Sequence, residues 1–294
     1  MSWVQFSIEI GGQLAESAAE VFSTAGALSV TVVAAGVESL LEPAPGETPL
    51  WAETRVIALF DAGVDQVRVE RAIHDAFPAV RSGLSVERVE DCDWSSTWRN
   101  GFQAMQFGKR LWVCPVGDAP PDPQAVVVQM DPGLAFGTGT HATTALCLEW
   151  LDANPPRGGA VIDYGCGSGI LAIAACKLGA SRVYAVDIDP QALTATRENA
   201  VRNHVERHIE VLPPDRLGDR SAGLLLANIL AGPLTELAPV LAGRIAAPGQ
   251  LLMTGILPEQ ADGVISAYRR WFDFSPPVLR DEWVLLIGKK VRVD

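Results

Sequence analysis

Asp163 to Gly169 read Asp-Tyr-Gly-Cys-Gly-Ser-Gly, a spacing that serves ligand chemistry. Gly165, Gly167 and Gly169 let the backbone turn tightly and approach a ligand with no Cβ in the way. Val161 and Ile162 end an apolar strand before the turn, and Ile170 to Leu178 follow it as a helix that Gly179 stops. A second strand, Arg182 to Val186, runs into Asp187. This is the pattern of a nucleoside-binding βαβ unit, with glycines beneath the ligand and a carboxylate at the tip of the second strand for the ribose hydroxyls. A pyrophosphate at the helix N-terminus favours a turn without added negative charge, yet Asp163 opens this one. S-adenosylmethionine has no phosphate and carries a cationic sulfonium and an ammonium, so the residues fit that cofactor.

Two further stretches supply polar groups. Asp131 to Thr144, DPGLAFGTGTHATT, combines three glycines, Phe136 and four hydroxyl residues immediately before a helix from His141. Its composition suits a loop that folds over a bound nucleoside, with Phe136 against apolar faces and the threonines at the methionine end. Gly223 to Ala227 form an apolar strand that ends in Asn228. Ligands of parallel sheets bind outside the carboxyl ends of the strands, so Asn228 belongs to the site with both a carbonyl acceptor and an amide donor. No residue presents itself as an obligatory general base; Asn228 orienting the acceptor is sufficient, and His141 is a secondary candidate. The four histidines are scattered and no Cys-x-x-C occurs, so no metal is expected.

The elements that position these residues follow in chain order. Residues 1–92 alternate as β-α-β-β-α-β, the order of a ferredoxin-like sandwich. Residues 93–108 read as a linker helix, with Ser95 or Ser96 as its cap and Trp94, Trp98 and Phe102 along it. Residues 109–294 read as a doubly wound α/β domain with a seven-stranded sheet whose last two strands form a hairpin. Helices are expected over Glu236 to Ile245 and Pro258 to Phe272.

The 294 residues carry a net charge of −12 and a mean hydropathy of +0.19, values of a globular chain; with Arg55 the first basic residue and the longest apolar run, Ala25 to Val37, too short for a bilayer, neither a leader nor a membrane span is expected and the cytoplasm is. Five cysteines in no repeated spacing suit reduced thiols. Residues 1–92 hold 14 acidic against five basic side chains. Such a field repels phosphate backbones and attracts a basic partner.

With AFGTGTHATT, DYGCGSGILAIAA, VDIDP and NILAGPL in this order, the sequence resembles the bacterial ribosomal protein L-eleven methyltransferases, class I adenosylmethionine-dependent protein methyltransferases. The likeness runs from about Trp94 to Lys290, with Ala142 where proline is frequent in the family and Tyr164 where phenylalanine is. It implies methylation of lysine side chains and the terminal amine of a basic large-subunit ribosomal protein. It also implies that Thr144, Gly165, Asp187 and Asn228 bind the cofactor, and that the acidic N-terminal domain grips the substrate. A monomer without nucleic-acid specificity is expected. Two rivals stand beside it: an RNA or DNA N-methyltransferase of the same fold, disfavoured by the absence of a basic patch, and a non-catalytic docking protein.

Overall fold

The computed structural model describes residues 2–35, 51–78, 83–90, 103–120, 122–130 and 141–291. The chain divides into two compact units, Met1–Trp94 and Ser95–Asp294.

In the first unit, β1 (Ser2–Gly11), α1 (Ala15–Thr24), β2 (Ser29–Ala34), β3 (Glu53–Asp61), α2 (Gln66–Ala76) and β4 (Ser85–Glu90) build an antiparallel sheet of order β2-β3-β1-β4. This is the ferredoxin-like arrangement. Strand periodicity explains its core: Val4, Phe6, Ile8 and Ile10 point to one side of β1 and meet Val56, Ala58 and Phe60 of β3. Ala15, Ala18 and Phe22 from α1 and Val69 and Ile73 from α2 close over them at helical spacing. Asp65 caps α2, its carboxylate accepting from the Arg68 N–H.

The second unit opens with a small sheet of β5 (Met105–Phe107), β6 (Leu111–Pro115) and β7 (Val126–Met130). Here the expected linker helix over 93–108 is corrected in part. Met105–Phe107 is a strand, because Phe107 pairs with Leu111 across a turn in which Gly108 takes φ +71°. Trp94, Ser95, Ser96, Trp98 and Phe102 lie outside the described residues.

The large sheet follows. Its elements are α3 (Ala142–Ala153), β8 (Ala160–Tyr164), α4 (Ile170–Lys177), β9 (Arg182–Val186), α5 (Pro190–Arg202), β10 (Ile209–Leu212) and β11 (Ala222–Asn228), then α6 (Ala231–Glu236), α7 (Ala238–Gly243), β12 (Ile245–Ile256), α8 (Ala261–Tyr268), β13 (Phe272–Phe274), β14 (Val278–Arg280) and β15 (Trp283–Lys290). The order is β10-β9-β8-β11-β12-β15-β13, parallel as far as β12, with β15 antiparallel to both of its neighbours. Seven strands thus run edge to edge, and β14 adds an eighth by pairing with β15 as the expected hairpin.

Two helix expectations need correction. Helix starts at Ala231 rather than Glu236, because Pro233 falls in the first turn, where no intrahelical donor is required, and Pro239 interrupts the run at Leu237. The segment after β12 stops being helical at Tyr268. The Phe272–Phe274 stretch instead pairs with β15, with Phe272 buried beside Tyr268.

The two faces of the sheet have separate cores. Val161, Leu224, Leu226, Leu252 and Leu285 face α3 and α4, while Ile162, Leu225, Met253 and Leu286 face α6 and α8. α3 is anchored at its far end by Asp152, which is buried. The Asp152 carboxylate accepts from the N–H groups of Lys109 (2.6 Å) and Arg110 (3.4 Å), and the Arg110 guanidinium lies 3.3 Å from its other oxygen. Asp152→Ala is expected to cost about 2–3 kcal/mol, since two backbone donors lose their acceptor, and Asp152→Asn less. Urea unfolding of the two variants decides it, and equal losses would disprove the acceptor role.

Candidate active site

The chain leaves β8 on one side toward β9 and β10 and returns on the other to β11, so a crevice opens at the carboxyl ends of β8 and β11. Register brings the ends level: Tyr164 pairs with Val186 and with Ala227, and Asn228 with Thr254. Gly165, Asp187 and Asn228 therefore meet around one opening although they are far apart in sequence.

The glycine turn is closed on itself by hydrogen bonds. Gly165 and Cys166 both donate to the Val186 carbonyl, at 2.8 and 3.0 Å, and Gly169 donates to Cys166 O. The Gly167 N–H donates to Asp187 Oδ2 (2.9 Å), while Asp187 Oδ1 accepts from the Asp189 N–H (3.0 Å). Gly165 sits at φ +81°, and a Cβ there would collide with Ile229 Cγ2. Asp187 is half-buried, and Ile188 after it is 83% exposed.

Underneath, α5 supplies a row of polar side chains that the sequence reading missed. The Thr196 hydroxyl donates to Gly167 O and lies 3.3 Å from Cys166 Sγ. Asn199 Nδ2 donates to Ser168 O, and Asn203 exchanges two hydrogen bonds with the backbone of Gln129 on β7. All three are buried. Their spacing at i, i+3 and i+7, in the stripe where core residues belong, was the available signal.

Asp163 lies behind the turn. It is 1% exposed, Oδ2 accepts from the Ala172 N–H (2.9 Å), and Oδ1 has no hydrogen-bond partner. Burial pushes its carboxyl up to about 7; the Ala172 hydrogen bond opposes this and the neighbouring Asp187 adds to it. Burial likewise raises the thiols of Cys147 and Cys166, which are thereby kept neutral and are not nucleophiles.

On the other flank, Thr144 is buried in the first turn of α3 and its hydroxyl accepts from Asn228 Nδ2 at 3.3 Å. This contact engages Nδ2 of Asn228 and not Oδ1. His141 caps α3: its Nδ1 accepts from the Thr143 N–H, and its ring lies edge-on to Trp283 at 5.1 Å. The structure thus brings together Asp163, Gly165, Gly167, Asp187, Thr144 and Asn228. Phe136 lies outside the described residues. Among the described residues no group of three or more His, Cys, Asp or Glu side chains is placed to hold a metal, and no helix is long and apolar enough to cross a membrane.

A phosphate-bearing ligand needs free backbone N–H groups at such a turn. Here those of Gly165, Cys166, Gly167 and Gly169 are consumed internally, and two carboxylates stand close by. The residues fit a cationic nucleoside without phosphate. A doubly wound sheet with this turn and an antiparallel β15 defines a Rossmann-like methyltransferase.

Residues 2–291 match the family model described as Ribosomal protein L11 methyltransferase. The chain is 51% identical over 288 residues to the ribosomal protein L11 methyltransferase of Methylococcus capsulatus, covering 97% of this chain and 98% of that one. It is 48% identical over 293 residues to that of Pectobacterium atrosepticum, covering 99% of each. A crystal structure of a ribosomal protein L11 methylase from Lactobacillus delbrueckii subsp. bulgaricus superposes with a TM-score of 0.60 at 31% identity, over 65% of this chain and all of that one. The chain belongs to the ribosomal protein L11 methyltransferase family.

The raised Asp163 carboxyl has a consequence for stability. Between the unfolded carboxyl pKa of about 3.9 and a folded value near 7, the native state holds a proton that the unfolded chain has released. This group's contribution to stability therefore falls as pH rises through that window, by at most about 1.4 kcal/mol per pH unit. Asp163→Asn removes the term while keeping an acceptor for Ala172, so its stability relative to the parent should rise from pH 5 to pH 8. Parallel pH profiles of the urea midpoint would contradict it.

Proposed function

We propose that the chain transfers methyl groups from S-adenosylmethionine to amino groups of ribosomal protein L11, at lysine side chains and the N-terminal amine. The observation that carries the cofactor is the glycine turn whose N–H groups are spent internally beside two carboxylates. The substrate reading rests on family membership and on the activity for which its relatives are named.

In this reading Asp187 takes the ribose hydroxyls, and Gly165 and Gly167 let the nucleoside approach. Ile188 offers an apolar face to the base, and Phe136 covers the ligand. Thr144 and Asn228 meet the methionine end, and Asp163 lies behind the turn, where a bound cation would favour its ionised form. When bound, the cofactor would supply an electrophilic methyl to the amine nitrogen, the electron pair of its broken S–C bond staying with sulfur and the nitrogen's proton going to water. The enzyme's main task is to hold the amine lone pair in line, and Asn228 Oδ1, which the Thr144 contact does not use, is the group that orients it. A lysine amine of pKa near 10.4 is only about 0.1% neutral at pH 7.4, a handicap of roughly 4 kcal/mol that a partly buried site near a sulfonium reduces.

The acidic N-terminal unit receives the basic substrate. Glu16 and Glu20 are exposed along α1 and belong to that field. The enzyme works as a monomer in the cytoplasm and has no affinity of its own for nucleic acid.

Labelled S-adenosylmethionine offered with purified L11 and, separately, with naked ribosomal RNA tests the reading. Label is expected on L11 alone, and Asn228→Ala should lower kcat/KM about 100-fold. Label on RNA instead would transfer the chain to the nucleic-acid enzymes. Glu16→Lys with Glu20→Lys should raise KM for L11 several-fold, by about 1 kcal/mol or less of lost attraction, and leave the cofactor KM alone. An unchanged KM would remove the docking role from α1.

A further inference from the structure

β12 carries an irregularity that sheet packing does not require. Met253 pairs with Leu286 and Ile256 with Val284, so Thr254 and Gly255 together face the single residue Leu285. Met253 and Ile256 accordingly lie in the same core although three residues apart. A bulge of this kind forfeits ladder bonds and re-aims a side chain, and such bulges occur beside active sites.

Three observations converge on it. Thr254 is 0% exposed, and its Oγ1 is the one buried side-chain hydroxyl among the described residues with no hydrogen-bond partner. Thr254 pairs in parallel register with Asn228, so the two side chains stand on the same face of adjacent strands, about 4.8 Å apart at the backbone. Gly255, at φ +85°, lies against the backbone of Ile229: a Cβ there would come within 2.8 Å of Ile229 C and closer still to its carbonyl oxygen. With Gly165, just past the end of β8, pressing on the Ile229 side chain, the Asn228–Ile229 turn is held between two left-handed glycines, one after β8 and one in β12.

We propose that the Thr254–Gly255 bulge forms the acceptor-amine side of the site, with Thr254 Oγ1 accepting one N–H of the amine while Asn228 Oδ1 accepts the other. This rests on the methyl-transfer reading above. A neutral primary amine aligned for in-line attack directs its lone pair at the methyl and keeps two N–H groups that need acceptors. Asn228 Nδ2 is committed to Thr144, which leaves one acceptor there. β12 lies one strand beyond β11, on the side away from Asp187, where the acceptor must enter if the ribose lies over β9. Both acceptors are neutral, so they hold the amine without stabilising its ammonium form as a carboxylate would. Gly255 is a positioning residue, acting through the Asn228 turn.

The chemistry gives Thr254 a signature. A primary amine offers two N–H groups, a monomethylated one offers a single N–H, and a dimethylated one none. Loss of one acceptor therefore weighs most on the first transfer.

The test compares Thr254→Val and Thr254→Ser with the parent chain. Calorimetric binding of S-adenosylhomocysteine should be unchanged in both. Melting of Thr254→Val should be equal or higher, because a methyl replaces an unpartnered buried hydroxyl. Its first methyl transfer to L11 should slow about tenfold, and mass spectrometry should show a larger share of multiply methylated product among modified amines. Thr254→Ser should restore the rate and the product distribution. Parental rate and product distribution in Thr254→Val overturn the proposal. So does a fall in its melting temperature, which would mark a structural hydrogen bond, or a loss of S-adenosylhomocysteine binding, which would place the hydroxyl at the cofactor. A parent chain that transfers nothing to L11 overturns the substrate reading itself, and this proposal falls with it.

Discussion

The cofactor end of the site hangs on one carbonyl. Val186 O, at the last position of β9, accepts from both Gly165 and Cys166 as the chain leaves β8. Two donors on one acceptor force the glycine turn to bend across the end of the neighbouring strand rather than run straight on. That bend brings the Gly167 N–H onto the Asp187 carboxylate, and it starts α4 where Ala172 meets Asp163. Each of these bonds uses a donor that an open loop would leave for a ligand. What remains is a surface of glycine backbone and carboxylate edge, with few donors left for a phosphate.

A turn so dependent on backbone bonds needs a rigid support, which here is polar rather than oily. Thr196 and Asn199 on α5 hold the carbonyls of Gly167 and Ser168, and Asn203 carries the same row to β7. Buried polar groups are costly unless paired, and Thr196 and Asn199 are paired with carbonyls of the turn that would otherwise be stranded. The small sheet β5-β6-β7 thereby becomes part of the positioning apparatus. It grips the end of α5 through Asn203, and it grips the far end of α3 through Lys109 and Arg110 after β5, whose N–H groups donate to the Asp152 carboxylate.

Legibility in the sequence tracked how local the physics was. The glycine turn, Asp187 and Asn228 were readable because each lies at the end of an apolar strand, and strand ends in a parallel sheet share one edge. The start of helix at Ala231 was obscured by Gly232 and Pro233, residues that break helices in their interiors but are tolerated in a first turn. Phe272 to Phe274 continued the apolar spacing of α8, and only pairing with β15 turned them into a strand. The bulge was invisible, because LLMTGI reads as an unbroken apolar strand whichever residue is extra. The burial of Asp163 was equally hidden. Its acidity pointed to a cationic ligand, whereas its depth behind the turn depends on α4 folding back over it.

Charge is distributed across the crevice in a way that separates two jobs. Of the two carboxyl groups, Asp163 lies in β8 and Asp187 just past the end of β9. The side chains at the ends of β11 and β12, Asn228 and Thr254, are neutral, as is Thr144 above them. In the reading proposed above a methyl acceptor arrives without its proton; a carboxylate beside it would hold the ammonium form, whereas one beneath a cationic cofactor would offset that cofactor's charge. The doubly wound topology makes this separation possible. It sends the Asp187 loop to one side of β8 and the amide and hydroxyl to the other, so β8, with Asp163 in it, divides an acidic half of the crevice from a neutral half.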